Sequence, residues 1–514
     1  MLIEENTDKI IEKLGIGFNK LNDKLSYLLE ENNNLKQLLI KLEKEKNEEI
    51  KLLKNSLIDK EVENLDLMAR FKQNNIDKTT ITSLNNNNKN NNVQLVKDIK
   101  TSPERPRKIR NNRESDIRVV VGLDFGAKYS GFAYCHSTGT DIRINDLWHE
   151  KVGQLRTNTV LLYDKEYKNV KLWGIPALNK SRNSKDKLIE LFKLHMSNMP
   201  DKFKPKLPLP LTYKKAITDY LREFGKVIQV TITKHWPGIN FFRNVLLVLT
   251  VPAEYPENTK DIMRECLYNA GLLEDKFSTN LQFITESEAA GIHCLKNIPE
   301  ARDLKPGNTF MIVNCDDVSI DLTIQKLNDK RFGDITARAG EFNNSIDAEF
   351  IKYLRKKLGD EPIELLRENN YGQIRYLIQQ FHKSVLTHFT GDQNFLYELD
   401  IQETIPILKK YIIKESIRKS LEKNEWIIKI DFKIMKSIFE PIIQKIIHLI
   451  KDQLYKTHSA IFLIGTFSES KYLQKRVKEL FQYEVKIISV PIQPIAAIAR
   501  GAVIYGLSMK NILR

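Results

Sequence analysis

An apolar run that ends in an acidic residue and a glycine turn is the feature that most constrains this chain. Residues 119–131 read VVVGLDFGAKYSG, in which an apolar strand is followed by Asp124 and Gly126. Glycine lets the backbone approach a polyphosphate that a Cβ would keep away, and an Asp at a strand end can face a magnesium ion. Because the same pattern occurs in many α/β folds, this stretch alone does not identify one of them.

Three further segments follow this strand in a fixed order. They are FFRNVLLVLTVPAEYPENTKDIMRECLYNAGL (241–272), LQFITESEAAGIHCLK (281–296), and IFLIGTFSESKYLQKRVKELF (461–481) with its sequel VPIQPIAAIARGAVIYGL (490–507). Together, over residues 116–514, the four segments resemble the 70-kDa heat-shock protein family and, within it, the divergent 12A/12B-like branch. The resemblance implies an α/β, actin-like two-lobed nucleotide-binding domain built from ribonuclease H-like repeats. We expect lobe I over 116–300, lobe II over 301–490, and a closing strand and helix over 491–514 that return to lobe I.

Length and charge bound the class of protein. At 514 residues with 41% hydrophobic content, the chain can bury a large two-lobed core and still carry an accessory segment. The net charge of +15 would suit an acidic partner, whether nucleic acid, anionic lipid or an acidic protein. A solvated lysine face on amphipathic helices explains the same charge without any partner, and we favour that interpretation.

Cysteine spacing and hydropathy indicate the compartment. The four cysteines are scattered without CxxC spacing, which favours a reducing compartment over a structural zinc site. The sequence has no run of 18 apolar residues, and its first 13 residues lack the basic flank and apolar stretch of a secretory signal. We expect a cytoplasmic protein, with the nucleus as an alternative, and no membrane association.

Residues 1–75 are predicted to form an α-helical coiled coil. Leucine recurs at every seventh position, and a second core register lies four residues after it. The leucines are Leu14, Leu21, Leu28, Leu35 and Leu42, and the second register holds Ile11, Phe18, Leu25, Asn32 and Leu39. A single Asn at a core position favours two parallel strands, so we predict a dimer that self-associates through residues 11–57 with other protein partners unknown. One long amphipathic helix that folds back on the globular part is the alternative.

Residues 76–115 are predicted to be a linker. Its asparagine-rich part, SLNNNNKNNNVQ (83–94), cannot bury apolar surface and is expected to be disordered. The basic part lies within residues 97–118, where a solvated linker, a nuclear-import signal and a phosphate-contacting arm for nucleic acid all remain open. We favour the solvated linker.

The resemblance implies a bound nucleotide, ATP or ADP with Mg²⁺. In active members of the family two phosphate loops, each a hairpin turn, hold the phosphates from the two lobes. The first loop keeps Asp124 and Gly126, but Ala127 and Lys128 replace the small hydroxylated pair that normally follows, before Tyr129. Lys128 could neutralise phosphate charge, or its long side chain could fill the space that the phosphate needs.

The second loop departs further from the family pattern. Asn314 replaces its first acid, Asp316, Asp317 and Val318 replace three glycines, and Ser319 and Asp321 complete it. A carboxylate at roughly 4 Å from a like charge costs on the order of 4 kcal/mol at an effective dielectric of about 20. We therefore expect weak binding of ATP.

Catalytic roles come from the resemblance and fall on three carboxylates. Glu286, in ITESEAA, matches the group that polarises the attacking water, while Asp124 and Asp321 match those that order the metal ion. A helix N-terminal carboxylate stabilised by the helix dipole is the alternative for Glu286. Leu178 stands where the family places a lysine, with Lys180 two residues on, so we expect hydrolysis to have lost a participant.

The adenosine end of the pocket is matched in part. Gly340 keeps one glycine of a pair, Lys383 and Thr387 match the adenosine-facing helix, and Gly465 is kept while Thr466 replaces its glycine neighbour, before Phe467. A threonine in place of that glycine narrows the slot for a purine.

These changes predict an eroded pocket on a retained scaffold. We expect a chaperone-like or regulatory protein that binds ATP weakly if at all and hydrolyses it poorly, in other words a degenerate ATPase. An active ATPase with altered phosphate loops, and an adaptor that binds no nucleotide and dimerises by its coiled coil, are the alternatives. Since the chain stops at Arg514, we expect neither the β-sandwich nor the helical lid of ordinary 70-kDa chaperones.

Overall fold

The computed structural model describes most of the chain from residue 116 onward. The described ranges are 116–149, 151–182, 187–256, 258–316, 319–329, 333–342, 346–455 and 459–509, with the single helical positions Gln37 and Glu48. The chain divides into a unit of residues 1–109 and a unit of residues 110–514. The predicted coiled coil, the asparagine-rich segment and most of the basic segment lie outside the described residues.

The larger unit alternates strands and helices. The strands are β1 (Val119–Phe125), β2 (Tyr129–His136), β3 (Arg143–Ile144), β4 (Leu147–Trp148), β5 (Lys151–Val152), β6 (Thr157–Asn158), β7 (Val160–Tyr163), β8 (Val170–Trp173), β9 (Ile189–Glu190), β10 (Val245–Val251), β11 (Leu281–Thr285), β12 (Thr309–Cys315), β13 (Ser319–Leu327), β14 (Gly333–Phe342), β15 (Leu396–Asp400), β16 (Ile427–Asp431), β17 (Ala460–Ile464) and β18 (Ile487–Ser489). The helices are α1 (Gly174–Arg182), α2 (Tyr213–His235), α3 (Phe241–Asn244), α4 (Thr259–Asn269), α5 (Glu286–Asn297), α6 (Ile346–Leu358), α7 (Asp360–Asn369), α8 (Tyr371–Val385), α9 (Ile401–Thr404), α10 (Leu408–Tyr411), α11 (Glu415–Lys423), α12 (Phe432–Leu454), α13 (Lys471–Phe481) and α14 (Ala497–Met509).

Two sheets of the unit share one topology. In the first sheet the strand order is β11-β10-β1-β2-β3, with β6 also paired to β2. In the second sheet it is β18-β17-β12-β13-β14. Each sheet places an antiparallel hairpin, β1–β2 or β12–β13, beside two parallel strands that come later in the chain. This repeated arrangement is what an actin-like ATPase fold requires.

Continuous apolar runs explain the central strands. All seven residues of β1 and all seven of β10 are buried, as expected of strands covered on both faces. The segment FMIVNCDDVSIDLTIQKL (310–327) predicts a β-hairpin from its sequence, and the structure confirms it as β12–β13, in which Asn314 pairs with Asp321. The segment PENTKDIMRECLYNAGL (256–272) predicts a helix that ends at Gly271, and the structure confirms it as α4, after which Gly271 has a φ of 78°.

Helix α14 joins the two sheets. It packs on β1, β10 and α5 in the first sheet's layer, and its residues share one buried cluster with Phe310 and Phe462 of the second sheet. The approach to α5 is close, because a Cβ at Gly501 would lie 1.7 Å from the carbonyl oxygen of Ala289. Only glycine fits at this crossing.

Two segments differ from what their sequences predict. The apolar run TVLLYD (159–164) predicts a further strand of the main sheet, but it forms β7, which belongs to a separate small sheet with β8 and β9. Residues 365–387 predict a single helix, but the structure has two helices there, α7 and α8, divided at Asn370. Among the described residues, none of the helices combines the length and apolar character needed to span a bilayer.

Candidate functional site

The turns of the two hairpins carry the residues predicted to hold phosphate. In the first turn, a Cβ at Gly126 would lie 2.3 Å from the carbonyl oxygen of Tyr129, so the tight turn itself requires glycine. In the second turn, the Asp316 amide donates to the Ser319 carbonyl oxygen at 3.1 Å. Positions 317 and 318, which include the predicted Asp317, lie outside the described residues.

Lys128 of the first turn forms a buried ion pair. Its Nζ lies 2.9 Å from Oδ2 of Asp347, at the start of α6, and the two side chains are 14% and 10% exposed. The other oxygen of Asp347 lies 2.5 Å from Nε2 of His382 on α8. Burial alone would raise the pKa of Asp347, but Lys128 and His382 together hold it well below its usual value. Lys128 thus connects the first hairpin, through Asp347, to α6 and α8.

Arg156, which the sequence analysis did not single out, reaches the second turn. Its Nη1 lies 3.6 Å from Oδ1 of Asp316, and its Nη2 donates to Oγ1 of Thr466 at 2.5 Å. The Thr466 hydroxyl in turn donates to Asp316 at 3.2 Å, and the guanidinium lies 5.2 Å from the ring centroid of Tyr129. A cation of the chain itself therefore connects the first turn, the second turn and the predicted adenosine end.

The two predicted metal-ordering carboxyl groups, those of Asp124 and Asp321, both have raised pKa values. Burial raises the pKa of Asp124 to about 7, with a further contribution from the carboxylate of Glu286. Burial and the carboxylate of Glu254 raise the pKa of Asp321 to about 7, although the Ser319 hydroxyl donates to it at 2.6 Å. We call the five interacting acids Asp124, Glu254, Glu286, Asp316 and Asp321 the acidic cleft. The structure brings together all three predicted catalytic residues in this cleft.

Glu286 begins α5 and has a buried lysine as its partner. Thr285 caps the helix in a capping box with Glu288, which fixes Glu286 at the first helical position. The Nζ of Lys193 lies 3.0 Å from Oε1 of Glu286, and the lysine side chain is only 4% exposed. Lys193 comes from a 3₁₀ turn (Phe192–Met196), whereas Leu178 is buried in a separate small cluster. Alignment with the family motif placed Leu178 at the position of the family's lysine. It therefore did not identify Lys193, the lysine that contacts Glu286.

A small cavity forms one part of the acidic cleft. Its volume is about 30 Å³ and it lies among Glu254, Glu286, Asn314 and Asp321, with enough room for a water molecule. The Oδ1 atom of Asn314 is buried in its wall and has no hydrogen-bond partner among the described residues. This part of the cleft is therefore suited to a water molecule between the hairpins.

Some of the remaining predicted binding residues lie beside the two turns or the acidic cleft, and the others lie away from them. Ala127 lies in the first turn, and Gly465, with a φ of 85°, precedes Thr466 beside the second turn. Gly340 pairs with Asp321 across β13–β14, and Phe467 is buried against Phe439 in the core of the second sheet. Lys383 and Thr387 are exposed near the end of α8, and no hydrogen bond in the described part of the chain joins them to the acidic cleft.

One missed residue left a signal in the sequence and the other left none. Lys193 is a single cation inside the apolar run LIELFKLHM (188–196), and a lysine in such a run is rarely buried without a partner. Arg156 lies in QLRTN (154–158), where nothing local distinguishes it from a surface arginine. Its partners lie on elements of the second sheet far along the chain.

The residues fit a magnesium–nucleotide complex poorly. Carboxyl oxygens such as those of Asp124 and Asp321 are the donors that Mg²⁺ prefers. Within the described ranges no three Asp, Glu, His or Cys side chains could hold a metal ion by themselves, so a magnesium ion would also need phosphate oxygens or water as ligands. A triphosphate would also meet the acids of the cleft at the second turn, where the chain already supplies Arg156.

Comparisons with known proteins agree with the resemblance seen in the motifs. No protein-family model matches the chain. The chain is 23% identical over 476 residues to heat shock 70 kDa protein 12A of Mus musculus, which covers 77% of this chain and 70% of that protein. It is 23% identical over 492 residues to the human 12A protein, with 79% and 73% covered, and 20% identical over 480 residues to the human 12B protein, with 77% and 70% covered. The chain is a divergent relative of the 12A/12B branch of the 70-kDa heat-shock family.

Proposed function

We propose that this protein is a degenerate actin-fold ATPase that serves as a chaperone-like or regulatory protein. In this proposal it binds ATP weakly if at all, and its hydrolysis is impaired. The observation that carries the proposal is the contact of Arg156 with Asp316 and Thr466, between the two hairpin turns. Arg156 thereby contacts one residue of the predicted phosphate loop, Asp316, and one residue of the predicted adenosine end, Thr466.

The charge balance of the cleft supports the proposal. Arg156 and Lys193 both reach the acidic cleft, and each is already paired with one of its acids. A triphosphate would add further negative charge beside Asp124 and Asp321, whose raised pKa values already reflect crowding by burial and by like charge. Binding would require proton uptake or an opening of the cleft, each of which reduces affinity, and a divalent cation would offset only part of the repulsion.

A working ATPase is the second candidate, and one contact favours it. The ion pair of 3.0 Å between Lys193 and Glu286 fixes a carboxylate at the start of α5, where the family places the group that polarises water. In this candidate Arg156 would turn from Asp316 to the bound phosphates, as arginines do in phosphoryl transfer.

The test combines binding and turnover in the full chain. Calorimetric titration with ATP and Mg²⁺ should show no micromolar binding by the wild type, and phosphate release should not exceed that of Glu286→Ala. The Asp316→Asn variant should bind ATP more tightly than the wild type, because it removes a like charge and releases Arg156. Micromolar binding together with turnover that Glu286→Ala abolishes would refute the proposal and establish the second candidate. A melting temperature that millimolar ATP leaves unchanged in both the wild type and Asp316→Asn would instead favour the adaptor alternative.

A further inference from the structure

Two adjoining cavities lie outside the acidic cleft, with volumes of about 570 Å³ and about 480 Å³. Both are lined by Glu190, Leu191, Pro205, Arg367 and Tyr371, so the two share a wall. We call the pair the basic cavity. Each volume lies within the range of several hundred Å³ that is usual for small-molecule sites.

The floor of the basic cavity is apolar. It is formed by side chains that are each less than 9% exposed, namely Leu194, Met199, Ile351, Ile374 and Ile378. Phe203 also lines this cavity and, unlike the residues of the floor, is 57% exposed. An apolar ligand segment that covered Phe203 and the floor would gain free energy from the apolar area removed from water.

The rim of the basic cavity is positively charged. Seven basic side chains line the basic cavity, compared with three acidic ones, Glu190, Asp347 and Glu368. Lys128 and Arg375 are paired with Asp347 and Glu190, and Arg355 is held by Glu364, which lies outside the lining. Lys352 is paired with Glu349, which also lies outside the lining. The remaining charged side chains of the lining are the cations Lys187, Lys206 and Arg367 and the acid Glu368. This excess of positive charge around an apolar floor is complementary to an anion with an apolar tail.

The shared wall is rigidly built. Glu190 accepts a hydrogen bond from the Tyr371 hydroxyl and lies 3.3 Å from Nε of Arg375, whose side chain is 7% exposed. The next residue, Leu191, adopts a left-handed conformation with a φ of 58°. A non-glycine residue held in this region is strained, and such residues concentrate at ligand sites.

We propose that the basic cavity binds a small amphiphilic anion, in which a phosphate monoester or carboxylate head is joined to an apolar chain. Arg367, at the junction of the two cavities, contacts the head, and the apolar floor and Phe203 cover the chain. The site is separate from the acidic cleft, so this inference does not depend on the function proposed above.

The experiment uses the full chain and two probes, octyl phosphate and octanoate, at concentrations below those at which they form micelles. Calorimetric titration is expected to show saturable binding with one site for at least one of them. The stronger of the two identifies the head group as phosphate or carboxylate. Inorganic phosphate, which lacks the tail, and octyl glucoside, which lacks the charge, should each bind at least about tenfold more weakly.

Matched variants locate the site. Arg367→Ala should weaken binding of the stronger probe about tenfold, and Phe203→Ala should weaken it several-fold. Arg302→Ala is the control, because Arg302 is also an exposed arginine but lines neither cavity. It should bind like the wild type. ATP should not compete with the probe.

Several results would overturn the proposal. These are the absence of saturable binding by both probes, equal losses in Arg367→Ala and Arg302→Ala, and equal affinity for inorganic phosphate. Binding to vesicles that contain an anionic phospholipid, without binding of either free probe, would assign the positive rim to a lipid surface and would also refute a small-molecule site.

Discussion

The two hairpin turns each carry a charge that is neutralised by a residue from the other half of the unit, but the two pairs differ in strength. Lys128 of the first turn meets Asp347 at 2.9 Å, with both side chains less than 15% exposed. Asp316 of the second turn meets Arg156 at 3.6 Å, and the Asp316 side chain is 33% exposed. A buried pair is costly to break, whereas a partly exposed one contributes little. The first contact therefore acts as a structural connection, and the second is the one that a ligand could replace.

The largest effect should follow from breaking the buried pair. Asp347→Asn leaves the Lys128 ammonium buried without its counter-charge, so the free energy of unfolding should fall by about 3–5 kcal/mol in chemical denaturation at pH 7. The matched control is Asp141→Asn, which removes the acid of the exposed pair with Arg143 and should change stability by less than about 1 kcal/mol. If the two variants lose the same amount, the contact of Lys128 is not structural.

The same variant has a defined pH dependence. Because the folded-state pKa of Asp347 is lowered, its ionised form stabilises the protein fully above the pKa of the unfolded chain, about 4. The difference between the wild type and Asp347→Asn should be constant from pH 8 down to about 5. It should shrink as the pH falls further below 4.

An intermediate effect of opposite sign is expected in the acidic cleft. The pKa of Asp321 is raised from 3.8 to about 7, so its ionisation destabilises the folded state. The free energy of unfolding should therefore contain a contribution that is favourable near pH 4 and is lost as the pH rises to about 7. Asp321→Asn removes this dependence and, relative to the wild type, should gain up to about 4 kcal/mol between pH 4 and pH 8.

The measurement is chemical denaturation at several pH values in the presence of EDTA, so that no added cation neutralises the cleft. Asp141→Asn again serves as the control. The difference between its free energy of unfolding and that of the wild type should not change sign between pH 4 and pH 8. A difference between Asp321→Asn and the wild type that stays constant from pH 4 to pH 8 would mean that Asp321 titrates normally.

Local patterns predicted the strands and turns, and the charge pairing had to come from the structure. The apolar run of β1, the hairpin β12–β13 and the position of Glu286 at a helix start all follow from hydrophobic pattern and turn chemistry within a few residues. The partners of the charged residues lie far away in sequence, since Lys128 and Asp347 are 219 residues apart and Lys193 and Glu286 are 93 apart. A lysine side chain is compatible with a phosphate, a buried acid or solvent. The two alternatives stated for Lys128, neutralising phosphate or filling its space, accordingly did not include an ion pair with Asp347.

The smallest effect should follow from removing the cation at the second turn. Arg156→Ala leaves Asp316 partly solvated, so the free energy of unfolding should fall by only about 1 kcal/mol at low salt and by less at high salt. A double-mutant cycle with Asp316→Asn isolates the pair, and we expect a coupling energy below about 1 kcal/mol, with the cycle of Lys128→Met and Asp347→Asn as the reference for a buried pair. A coupling energy above about 2 kcal/mol would mean that the Arg156–Asp316 pair is a structural contact like the Lys128–Asp347 pair. A ligand could then not readily displace Arg156 from Asp316.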